Sequence, residues 1–278
     1  MPPAKKRART YDSATIRSAV LTQFGNVRKA VGTLTSEQLA RPSRLGEWTV
    51  RELAAHMTMA VETVSRNLDR EEPPKPQLAL LEWPFVTAVR AADIAEDTRG
   101  LAADNPDLGA LYARTEERLS ERLATASGTR VVAALPQALG CARAGGTPIG
   151  AMTLADYLVT RTVELVVHTD DLNTAVPGLD IPYDRQALAA CTRLLADALV
   201  VKAPGASTEV RIPPYAVVQC VEGPRHTRGT PPNVVETDPL TWIRLATGRT
   251  DWHSALADAK VGASGERADL SGLLPLMA

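Results

Sequence analysis

The sequence predicts an antiparallel four-helix bundle followed by a smaller α+β domain, and three observations carry that expectation. Up to about residue 170, apolar residues recur at helical spacing between breaks that bear proline and glycine. The stretch "NTAVPGLDIPYD", Asn173 to Asp184, then reads as a linker. Beyond it, short strand-like runs alternate with helical patterns. The divisions that follow are a basic flexible tail over 1–12, a helical bundle over 13–175 and an α+β domain over 176–278.

The elements follow in order. Ile16, Val20, Phe24, Val27 and Val31 share one face of a helix over Ser13–Leu34. A second helix opens at "WTVREL", where Thr49 and Glu52 have the spacing of a capping box. It carries Leu53, Met57, Val61, Val64 and Leu68, and "REEPPKP" stops it. An irregular segment with Trp83 and Pro84 comes next, then helical patterns over about Val86–Leu101 and Leu108–Ala126. After "RAGGTPIG" the fourth main helix opens on Thr153 and Asp156, a second box. In the second domain a helix is expected over Asp184–Val201, followed by strands at "STEVRI", "YAVVQCVE" and "NVVET". Asp238 and Pro239 fit the N-cap and first turn of a short helix ending at Gly248. "AKVGASG" reads as a further strand and "LSGLLPLM" as a closing helix.

Composition narrows the function classes. The 278 residues are 45% hydrophobic and 23% charged, with a formal net charge of −1, so no basic field points to nucleic acid. Apolar runs fall short of the ~18–20 residues of a membrane span. Lys5, Lys6, Arg7 and Arg9 lead into no signal-peptide core, and a solvated tail is the reading. Cys141, Cys191 and Cys220 form no CxxC pair, which fits buried structural thiols in a reducing cytoplasm. No H-E-x-x-H, Walker A or G-x-S-x-G pattern occurs.

The chemistry centres on "LVTRTVELVVHTDDL", residues 158–172. Projected at about 100° per residue, Leu and Val surround most of the helix, and Arg161, Glu164, His168 and Asp171 share the single polar stripe. A helix apolar nearly all round is buried, and a buried carboxylate demands a partner. Glu164 and His168, four residues apart, lie on one face. Alone, such a pair also suits an ordinary helix surface. His56, on the flank of the second helix, is either a satisfied half-buried histidine or a third donor facing the fourth helix. In the latter case two imidazoles and a carboxylate make a three-ligand metal site with an open position.

"RLGEWTVRELAAHM" followed by "MTLADYLVTRTVELVVHTDDL" resembles the mycothiol-dependent maleylpyruvate isomerase family, through Trp48, Thr49, Val50, Leu53 and His56 and then Arg161, Glu164, His168, Asp171 and Leu172. The resemblance, over roughly Ser13–Leu172, implies a DinB-like bundle with His56, Glu164 and His168 holding a divalent metal, taken as zinc. It also implies mycothiol as thiol cosubstrate and a small electrophilic substrate. In the isomerase reaction a metal-bound thiolate adds to an activated double bond, permits rotation and leaves; in related transferases it stays attached. Asp171 and Arg161 are the candidate catalytic residues: Asp171 fixes the second nitrogen of His168 or meets the thiol, and Arg161 pairs with a carboxylate. The alternative for both is a structural ion pair.

The second domain, through "VRIPPYAVVQCVEGPRHTRGTPPNVVETDPLTWIRLATG" and "GERADLSGLLPL", resembles the bacterial sterol-carrier-like domain. That opens an alternative function, binding of an apolar ligand beside a structural or vestigial metal site. The family's basic residue in this domain has no matching local pattern here. Arg225 and Arg228 suit either a carboxylate site or a solvated turn, and His226 and His253 are read as structural or exposed.

Overall fold

The computed structural model describes residues 9–87, 91–134, 150–224 and 232–277. Asp12 caps α1 (Ser13–Val31), and the five apolar residues at helical spacing form its buried face. A one-turn helix, α2 (Ser36–Leu39), leads into α3 (Val50–Leu68). α3 starts on a complete capping box in which Glu52 accepts from the Thr49 N–H at 2.6 Å. A 3₁₀ turn over Leu80–Phe85 replaces the irregular segment and buries Trp83 and Pro84. The helix expected from Val86 is described as α4 (Ala91–Asp104); Val86 itself closes the 3₁₀ turn by donating to the Trp83 carbonyl at 3.1 Å. Asp107 caps α5 (Leu108–Thr125). Two short strands not expected from the sequence, β1 (Val131–Ala133) and β2 (Ala151–Thr153), pair antiparallel with Val132 opposite Met152. α6 (Leu154–Ala175) follows directly, capped by Thr153. Cys141 lies outside the described residues.

α1, α3, α5 and α6 form the four-helix bundle: α6 packs on α1 and α3, α5 packs on the same two, and α4 flanks α3. α6 is central because apolar side chains cover it. Leu158, Val159, Val163, Leu165 and Val166 are all buried.

α7 (Arg185–Lys202) is a shared wall, packing on α1 and α6 and also on the second domain's sheet. That sheet runs in the order β4-β3-β5-β6. β3 (Thr208–Ile212) pairs antiparallel with β4 (Ala216–Cys220) and parallel with β5 (Val234–Thr237), and β5 pairs antiparallel with β6 (Val261–Ser264). In β3 and β4, alternate residues turn inward, Val210, Ile212, Val218 and Cys220 among them. α8 (Pro239–Ala246) has Asp238 as its cap and Pro239 in its first turn, as the sequence indicates, and α9 (Trp252–Ala257) follows.

The closing helix is not formed. Only a 3₁₀ turn over Ser271–Leu273 appears, and Leu274, preceding Pro275, is extended at φ −111° and ψ 147°. The Leu276 and Met277 N–H groups then both donate to the Ala246 carbonyl, at 2.8 and 3.0 Å, tying this segment to the end of α8. Among the described residues no helix is long and apolar enough to cross a membrane.

Candidate metal centre

Two helices and one loop build the site. The loop before α3 is closed by a bridge between Pro42 and Thr49 and by the Ser43 N–H donating to the Trp48 carbonyl at 2.8 Å. Arg44 and Gly46 take positive φ, 65° and 55°, to make the tight reversal. The loop sets the Trp48 ring 5.1 Å from that of His56, which stands two turns into α3 and faces α6. The two histidine rings meet edge to face at 4.9 Å and 88°.

Glu164 lies between them. Its Oε2 is 3.8 Å from His56 Nε2 and 3.5 Å from His168 Nε2, and ligand atoms of the three residues all fall within 4.8 Å of one another. A tetrahedral zinc with bonds of ~2.0–2.1 Å places its donors about 3.3 Å apart, so these separations fit one small cation after slight closure. The other ring nitrogens are engaged elsewhere: His168 Nδ1 lies 2.8 Å from Asp171 Oδ2, and His56 Nδ1 lies 3.4 Å from the buried Thr98 hydroxyl. Both Nε2 atoms therefore face the carboxylate.

The electrostatics put two of the three donors, His56 and Glu164, in the ligating form. Burial pushes the His56 imidazole below the ordinary histidine range, more strongly than Glu164 beside it pushes back. Burial would lower His168 as well, but hydrogen bonds to Asp171 and Glu164 outweigh it and raise the group. Burial would raise Glu164, yet the two histidines and the Arg161 charge hold it well below the carboxylate range. The carboxylate is therefore ionised and His56 neutral, the forms a cation takes.

Arg161 is buried, its guanidinium 4.7 Å over the Tyr157 ring and 5.9 Å from that of Trp83. It donates to the Ala60 carbonyl at 3.3 Å and stands 3.8 Å from Glu164 Oε1, the oxygen turned away from the histidines. A cleft of about 440 Å³ opens over the three donors, walled by Trp48 and Ile94 from the bundle and by Arg249 and Met277 from the second domain.

All five residues singled out in the sequence thus converge: His56, Glu164 and His168 at the centre, Arg161 and Asp171 against them. The second domain's guanidinium at the cleft belongs to Arg249, one residue past the Gly248 that ends α8's turn, and local spacing gives no sign of it. Arg225, Arg228 and His226 lie outside the described residues, and His253 is exposed.

Comparison with known families decides the classification. The sequence profile described as "Mycothiol maleylpyruvate isomerase N-terminal domain" matches residues 20–173. The chain belongs to this family. A profile described as "Bacterial SCP ortholog" matches residues 184–276, the family's bundle being followed here by that second domain. No curated protein sequence matches the chain. The crystal structure of a mycothiol-dependent maleylpyruvate isomerase superposes with a TM-score of 0.57 at 16% identity, covering 93% of this chain and 95% of that one. A histidine-to-alanine mutant of that isomerase superposes at 0.56 and 16% identity over the same shares. Both share the fold of this chain.

Proposed function

We propose that this family member is a divalent-metal enzyme, with zinc as the metal, that uses mycothiol as cosubstrate in isomerising or thiol-transferring chemistry on a small electrophile. The observation that carries the reading is the meeting of two imidazole nitrogens and one carboxylate oxygen from α3 and α6.

His56 Nε2, Glu164 Oε2 and His168 Nε2 would hold the ion. A cation held by two neutral ligands and one anionic ligand keeps net positive charge, and so favours the thiolate of a thiol in the open position. The chain's own residues do the rest. Asp171 accepts from His168 Nδ1, which orients the ring with Nε2 toward the ion and makes that nitrogen a stronger donor. Arg161 balances the Glu164 oxygen that faces away from the donors. Trp48, Ile94 and Met277 form an apolar rim that limits water. Arg249 lines the same cleft, its guanidinium held by Asp171 and by the Thr247 carbonyl.

Binding of an apolar ligand within the second domain draws no comparable support. Val210, Ile212, Val218, Val235, Trp242 and Ile243 fill the space between its sheet and helices.

The test is metal content by mass spectrometry, with mycothiol binding by calorimetry, for the wild type and the His56→Ala and His168→Ala variants. The wild type is expected to carry about one ion per chain, and each variant to lose both the ion and mycothiol binding. A wild type without stoichiometric metal, or variants that retain it, would refute the reading.

A further inference from the structure

Arg249 does more than line the cleft. Its Nε lies 3.2 Å from Asp171 Oδ1 and its Nη2 3.0 Å from Asp171 Oδ2. The same Oδ2 lies 2.8 Å from His168 Nδ1, and the far nitrogen of that ring faces Glu164 at 3.5 Å. A continuous chain of polar contacts therefore runs from the second domain, through the last turns of α6, to the triad. Asp171 is buried, and a buried carboxylate is tolerated only with its oxygens occupied. The two-pronged guanidinium meets that need and also fixes the rotation of the carboxylate, aiming Oδ2 at the imidazole. An acceptor held there keeps the proton on Nδ1 and leaves the lone pair on Nε2.

We propose that Arg249 is a positioning residue of the metal centre: its two-pronged contact sets, through Asp171, the tautomer and orientation of His168, and with them the affinity for the metal. By linkage, bound metal must in turn strengthen that contact. The inference rests on the reading of His56, Glu164 and His168 as ligands.

The structure supplies its own control. One residue earlier on α6, Asp170 is also buried and is gripped the same way by Arg244 of α8, at 2.8 and 2.7 Å. Asp170, however, continues to the Tyr183 hydroxyl at 3.1 Å and makes no contact with a triad histidine. The two clamps join the same helix to the same domain and differ in where the carboxylate leads.

The experiment compares full-length wild type, Arg249→Gln and Arg244→Gln. Zinc affinity is read by competition with a chromophoric chelator, the His168 tautomer in metal-free protein by ¹⁵N-edited NMR at a pH high enough to leave the ring neutral, and folding by thermal unfolding. Arg249→Gln is expected to weaken zinc by about 10–100-fold, the range for loss of such an outer partner, and to reduce the Nδ1–H tautomer. Arg244→Gln is expected to keep wild-type zinc affinity and tautomer while losing at least as much stability. Arg249→Lys, which keeps the charge without the fork, should recover part of the affinity. Equal weakening by Arg249→Gln and Arg244→Gln would reduce the effect to docking alone and overturn the proposal. Unchanged zinc affinity and tautomer in Arg249→Gln, with zinc still lost in His168→Ala, would overturn it while leaving the proposed function standing. Failure of the wild type to bind zinc would overturn both.

Discussion

Arg244→Gln should destabilise the protein measurably, because it opens one of the two clamps between the bundle and the second domain. The guanidinium makes two charge-assisted hydrogen bonds to Asp170, at 2.7 and 2.8 Å. At ~1.5–3 kcal/mol each, these bound the loss at about 6 kcal/mol. The Arg244 side chain is 40% exposed, against 7% for Asp170, so water screens one end of the pair and draws its value toward the ~1 kcal/mol of a surface pair. Tyr183 stays on Asp170 and relieves part of the orphaned charge. An expected loss of about 2 kcal/mol lies between these limits. At about 2–4 °C per kcal/mol for a chain of this order of size, that lowers the melting temperature by about 4–8 °C. Circular dichroism at pH 7 and low salt measures it, and added salt should shrink the difference. A shift of under about 1 °C would show that the pair does not hold the domains together and that the burial argument is wrong.

Two further outcomes follow from local electrostatics. Burial pushes the Cys220 thiol up to about 11 and the Cys191 thiol higher still, so peptide mapping after iodoacetamide treatment of native protein at pH 8 should find both unmodified, with both labelled once urea is present. Asp238→Ala should cost about 1 kcal/mol at pH 7 through loss of the α8 cap. Partial burial would raise the Asp238 carboxyl, but hydrogen bonds from Thr241 and Leu240 outweigh it and lower the group below 3.8. A depressed folded value means that this stabilisation is complete above the unfolded value and vanishes as pH falls through the folded one. Urea midpoints of wild type and variant should therefore draw together as pH falls below 3.8; a gap that does not narrow on acidification would show that the carboxylate charge is not what stabilises the helix.

Much of the architecture is legible in the sequence because local signals agree with burial. The apolar surround of 158–172 identifies α6 as an interior helix, the Thr49–Glu52 spacing locates the start of α3, and the alternation in "STEVRI" gives β3 its inward face. What escapes is pairing at a distance. β1 and β2 are three residues each, too short for a period, and exist only through one another. "LSGLLPLM" has helical composition, but Pro275 and the anchoring of Leu276 and Met277 on Ala246 hold it open. The site divides along the same line. Glu164, His168 and Asp171 lie within two turns of one helix, so their grouping is readable from spacing. The approach of His56 depends on how α3 packs against α6, and that of Arg249 on a domain contact spanning 78 residues of chain.

X-ray absorption at the zinc edge, on zinc-loaded protein before and after mycothiol is added, tests the central claim most directly. The expected first shell is nitrogen and oxygen at ~2.0–2.1 Å, joined on addition of mycothiol by one sulfur at ~2.3 Å. A shell that mycothiol leaves unaltered would contradict a metal-activated thiol at His56, Glu164 and His168.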